Sequence, residues 1–163
     1  MGRCWQCRGG SLNHNSISGN IFGQLYLALK SRKCRIFNSD MKLSIPTKNA
    51  FVYPDSMVIC GEIHLLENRT DVVENPVLVI EVLSKSTAQY DRKEKFELYQ
   101  TLPSVQEYIL IAQDEYRVDL YQKTKQSQWE QTVYQEFTDT LKLNSIGVSI
   151  PIEEIYEKIV FLR

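Results

Sequence analysis

Two acids stand where apolar side chains are expected. Glu81 lies inside Val77–Ser84, a run otherwise aliphatic as far as Leu83. Asp55 follows Pro54 and opens the apolar run Ser56–Cys60. A carboxylate buried in a strand is costly unless a partner or a metal neutralises it, so each acid asks for a cation. Two such acids on neighbouring strands suit a hard divalent ion, which one or two carboxylates hold together with water and substrate phosphate. Such an ion polarises a phosphoryl oxygen and lowers the pKa of a bound water. Lys95 lies 14 positions after Glu81, where a lysine pointing back at the strand could stabilise charge on a phosphate.

The elements that must position these residues follow from periodicity. Ala88, Asp91, Lys95, Leu98, Tyr99 and Leu102 recur at helical spacing, so a helix over 88–102 carries Lys95 on its inward stripe. Lys93 is two residues, or about 200°, round that helix and faces solvent. Lys85 falls in a polar break after the strand. Before them, Ile17, Ile21, Leu25, Ala28 and Leu29 predict a helix from His14 to about Lys33. Gly19 and Gly23 weaken it and suggest a close approach by another element. CRIFNSD, MKLSIP and FVYPDSMVICG read as strands, and residues 61–75 as a connection closed by Asn75–Pro76. Pro103 ends the second helix and EYILIAQ returns as a strand. YRVDLYQK, WEQTVYQEF and LKLNSIGVSI read as an antiparallel meander, followed by a short helix after Pro151.

A structural reading stands beside each choice. Asp55 after a proline can cap a turn, and Glu81 can pair with Lys95 without a metal. Asp91 and Lys95, four apart, can form a helix-surface pair. Asp40 reads as a turn residue, His14 as a cap or surface residue, and Tyr99 as core.

The order of these pieces carries a resemblance: PD, then EVLSKST, then YDRKEKFELY, then EYILI. It resembles the Uma-two family of restriction endonucleases, and through it the wider PD-(D/E)XK nucleases, from about His14 onward and most specifically over Pro54–Tyr108. The resemblance implies an α/β fold of restriction-endonuclease type: a mixed central sheet flanked by helices, with a C-terminal antiparallel meander. It implies Asp55 and Glu81 as metal-binding acids, Val82 lending a backbone carbonyl, and Lys95 as the catalytic lysine. The superfamily places that lysine two positions after the second acid, where this chain has Leu83; the family pattern points to the following helix instead. The implied activity is Mg2+- or Mn2+-dependent phosphodiester hydrolysis of DNA, with RNA a weaker option. A homodimer is expected, because two symmetric sites cut two strands. The alternative is a nuclease-fold module without catalysis, serving binding or regulation. Its motives are Leu83 and the acid-free leader, which stands where family members carry acidic residues.

At 163 residues one domain is expected over 13–163, after a loose leader over 1–12. Nineteen bases against twenty acids announce no nucleic-acid binder by net charge. The charge is uneven, however. No acid precedes Asp40, while Arg3, Arg8, Lys30, Arg32, Lys33 and Arg35 do, a basic quarter that could face phosphate or simply solvent. No apolar run is long enough to span a membrane and no signal peptide is evident, so a cytoplasmic location is expected. Cys4 and Cys7 form a CxxC without a second ligand pair, so all four cysteines, Cys34 and Cys60 included, are expected as free thiols without zinc.

Overall fold

The computed structural model describes residues 10–84 and 88–161. The expected leader as far as residue 9, the Cys4–Cys7 pair and Lys85 lie outside the described residues.

Helix α1 (Leu12–Leu29) is capped by Ser11, whose side chain accepts from the His14 N–H. It is followed by β1 (Cys34–Asn38), β2 (Lys42–Ile45), β3 (Ala50–Val52), β4 (Ser56–Cys60), β5 (Val72–Val73) and β6 (Leu78–Leu83). The second helical segment comes in three pieces: α2 (Ala88–Tyr90), a wide π turn (Asp91–Lys95) and α3 (Phe96–Gln100). The chain ends through β7 (Glu107–Ala112), β8 (Val118–Lys123), β9 (Trp129–Tyr134), β10 (Thr140–Leu143), β11 (Val148–Pro151) and α4 (Ile152–Ile155).

Six strands form the central sheet in the order β1-β4-β6-β7-β8-β9. Only β6 and β7 run parallel in it, joined by the crossover through α2 and α3. All six residues of β6 are buried, as a strand covered on both faces requires. Its alternation divides the core. Leu78, Ile80 and Val82 join Ile17, Ile21, Leu25 and Leu29 of α1, with β10, β11 and α4 on the same side. Val79 and Leu83 join Tyr99, Leu102 and Tyr108 under the second helical segment, beside a small sheet of order β3-β2-β5. Glu81 shares the parity of that second face.

The structure departs from the expected elements at six points. The helix expected over 88–102 is interrupted by the π turn over Asp91–Lys95. FVYPDSMVICG is two strands, because Pro54 has no N–H to continue a ladder: β3 pairs with β2, and β4 joins the central sheet. The stretch 61–75 contains β5, parallel to β2 and too short for a periodicity. The meander splits: β8 and β9 extend the central sheet, whereas β10 and β11 form a separate hairpin. At Gly19 and Gly23 an added Cβ meets nothing within 4 Å, so neither marks a close approach. Finally, Cys34 and Cys60 form a disulfide rather than free thiols. They are direct partners across β1 and β4, a register that spacing in the chain does not reveal.

Candidate active site

The switch at Pro54 decides where Asp55 falls. Ser56 is the partner of Ile80, so one step back along β4 sets Asp55 across from Glu81, at the edge of β6 that β4 leaves unpaired. There Asp55 Oδ2 accepts the Val82 N–H at 2.7 Å. A strand residue turns its N–H and C=O to the same neighbour, so the Val82 carbonyl belongs to this edge too.

From the opposite face, the first turn of α1 brings His14 to the same acid, with Nε2 3.3 Å from Asp55 Oδ2. The hydrogen bond to Asp55 raises the His14 pKa above its usual value, against the opposing effect of burial. His14 is therefore part of the site rather than only a cap or surface residue. Its signal in the sequence was weak, since its partner lies 41 positions away.

Glu81 is almost fully buried. Its Oε1 accepts from the Tyr99 hydroxyl at 2.6 Å and lies 2.9 Å from Lys95 Nζ. Lys95 also reaches Asp91 Oδ1 at 3.0 Å. That contact is electrostatic rather than well directed, because Asp91 Oδ1 has no hydrogen-bond partner of good geometry among the described residues. The Asp91–Lys95 pair thus exists but is buried, not a surface pair. Asp91 is held from behind by Tyr108, whose hydroxyl donates to its backbone carbonyl at 2.9 Å. Tyr99, read as core, is core and a donor to the acid at once.

Burial pushes the Glu81 carboxyl up to about 7, with Lys95 opposing and the charges of Asp55 and Asp91 adding to the rise. Lys95 is also raised: burial disfavours its charge, but Glu81 and Asp91 more than offset that. Both directions hold together because one lysine serves two acids. Its cation is secured, while Glu81, deeper and facing Asp55 as well, is left short of positive charge.

Three acids and one lysine, with one histidine, meet at this strand end. Among the described residues no three His, Cys, Asp or Glu side chains are grouped so as to hold a metal ion by themselves. The donor set fits a hard divalent ion that keeps water and substrate oxygens as its other ligands. The described bonds of Asp55 fall on Oδ2 and those of Glu81 on Oε1. Each acid is thereby oriented through one oxygen.

Leu83, where the superfamily's lysine would stand, is buried in the second core cluster. Lys93 is exposed on the helix and Asp40 is exposed in a turn, its N–H bonded to Asn38. The basic residues at the end of α1 do not approach the site. Leu29 is about 22 Å along the helix from His14, and Cys34 pairs with Cys60, at the far end of β4 from Asp55.

The fold is similar to that of "a putative nuclease belonging to DUF820" from Anabaena variabilis, with TM-score 0.74 and 20% identity over 91% of this chain and 82% of that one. Two proteins of Synechocystis sp. are similar in sequence. One, sll1609, is 45% identical over 74% of this chain and 68% of its own length. The other, slr1290, is 36% identical over 98% of this chain and 83% of its own. Residues 1–153 match the family model described as "Uma2: Putative restriction endonuclease", and the chain belongs to that family.

Proposed function

We propose that this protein hydrolyses phosphodiester bonds of DNA with a divalent cation, Mg2+ or Mn2+, held by Asp55, Glu81 and the Val82 carbonyl. The observation that carries the reading is the meeting of Asp55, Glu81 and Lys95 from three different elements at one strand end, in a chain of this family. When bound, the ion supplies Lewis acidity toward a phosphoryl oxygen and a water of lowered pKa. The protein's own residues supply the rest. Asp55 is fixed by the Val82 N–H and His14, and Glu81 by Tyr99, so their free oxygens are preoriented. Lys95, charged and mostly buried between Glu81 and Asp91, offers N–H donors where negative charge grows on the phosphate. Cutting both strands of a duplex calls for two such sites, and a homodimer provides them.

The test is cleavage of supercoiled plasmid with Mg2+ or Mn2+. Asp55→Asn and Glu81→Gln should each abolish cutting and weaken Mn2+ binding by titration calorimetry. Lys95→Met, which keeps the side-chain volume, should abolish cutting while leaving Mn2+ and DNA binding largely in place. Normal cutting by Asp55→Asn would remove the assignment.

One observation favours a second reading, a non-catalytic module of the same fold. Lys95 already pairs with two acids without a metal, 2.9 Å from Glu81 Oε1 and 3.0 Å from Asp91 Oδ1. Such a module would show no Mn2+ heat that Asp55→Asn abolishes.

A further inference from the structure

A second charged cluster lies on the same face of the central sheet, and nothing in the chemistry above uses it. Glu81, Leu110 and Asp119 are direct partners across β6, β7 and β8. At the usual strand spacing Asp119 is about 10 Å from Glu81. Arg92, the residue after Asp91 on the π turn, places Nη1 2.6 Å from Asp119 Oδ2. Arg117 forks onto the same carboxylate, Nη2 at 2.9 Å and Nε at 3.2 Å, and Gln131 adds a bond at 3.2 Å. Asp119 is 1% exposed, whereas Arg92 and Arg117 are 36% and 29% exposed.

The stoichiometry is the informative point. A buried carboxylate needs one cation and its hydrogen bonds, and Arg117 with Gln131 meets that need. Arg92 is a second cation on an acid already satisfied, so the cluster carries a surplus positive charge at the surface. Among the described residues no bond engages Arg92 Nε and Nη2, or Arg117 Nη1. These donors belong to planar forks whose geometry matches phosphate oxygens. Glu115 also acts on Arg117 by its charge, less strongly than Asp119 does.

We propose that Arg92 and Arg117, braced by Asp119, dock a backbone phosphate of the duplex whose scissile phosphodiester lies at Asp55, Glu81 and Lys95. The inference rests on the reading of the protein as a DNA-cutting enzyme and adds a subsite to it. A separation of about 10 Å is the axial rise of about three nucleotides of one strand, within the footprint of a single bound duplex. The adjacency of Asp91 and Arg92 on one turn couples the two places: the turn that sets Lys95 against Glu81 also sets Arg92 against Asp119.

The experiment is equilibrium binding of a labelled 20-base-pair duplex by the full chain in Ca2+, across a series of salt concentrations. Arg92→Gln is the principal variant, since Arg117 and Gln131 still satisfy Asp119 and the fold is kept. Its plot of log K against log salt should be shallower by about one unit, with about two units for Arg92→Gln with Arg117→Gln. Affinity should fall by a similar factor for duplexes of unrelated sequence, and the Mn2+ affinity should stay that of the parent. An unchanged slope in folded Arg92→Gln, beside a parent that binds DNA, overturns the phosphate subsite alone and leaves a structural brace. A parent that binds no duplex overturns both the subsite and the nuclease reading.

Discussion

Glu81 shows how far one buried carboxyl can set the behaviour of a site. Its proton is held in the folded chain up to about 7, against an ordinary value of 4.5. A raised folded-state value means that folding takes up a proton between those limits. The stability Glu81 contributes is therefore fully present below about 4.5 and is lost as pH rises through about 7. Glu81→Gln removes that titration while keeping an oxygen to accept from Tyr99. In EDTA the variant should melt close to the parent near pH 5, and the difference should grow in the variant's favour toward pH 8. Thermal melts across that range check this. A constant deficit of the variant at every pH would mean that Lys95 keeps Glu81 ionised throughout, as a structural ion pair.

At the scale of elements, the second helical segment was legible and the first was only half so. Asp91, Lys95 and Tyr99 fall on the inward stripe by helical spacing alone, and Glu81 is the partner that Lys95 and Tyr99 meet there. Helix α1 declared its apolar stripe, but His14 sits at a polar end where nothing local marks its contact with Asp55. The Asp119 cluster was hidden for a related reason: alternation along β8 reads a charged residue as outward-facing, and only the sheet order puts it under Arg92. At Gly19 and Gly23 the expected close approach is absent, because a glycine in a helix signals either close packing or mere tolerance, and sequence does not separate the two. With nothing within 4 Å of either added Cβ, alanine gains helix propensity without a clash. Gly19→Ala and Gly23→Ala should each stabilise the chain by up to about 1 kcal/mol, read as a shift of the urea midpoint at unchanged slope. A loss at either position would place an unseen neighbour against that face of α1.

For the whole molecule, the sheet order separates what holds β4 in place from what β4 presents. Asp55 precedes its first residue and Cys60 is its last, so the disulfide to Cys34 clamps the end of β4 remote from the acids. It joins β4 to β1, the strand at the edge of the central sheet, where pairing on one side only would otherwise let the edge fray. The two cysteines are 26 positions apart, and closing a loop of that size removes denatured-state freedom worth about 3–4 kcal/mol. For a chain of this length that corresponds to a melting shift of about 6–16 °C. Cys34→Ser with Cys60→Ser should therefore lower the melting temperature by that order, as should a thiol reductant acting on the parent. Mn2+ binding should be unaffected by either change. Asp55 is held by Val82 on the neighbouring strand and by His14 from α1, and β1 makes neither contact itself. The paired measurement of melting and Mn2+ affinity checks the separation: a fall in Mn2+ affinity together with stability would mean that β1 orders the acids through β4, and that the clamp and the site are one unit.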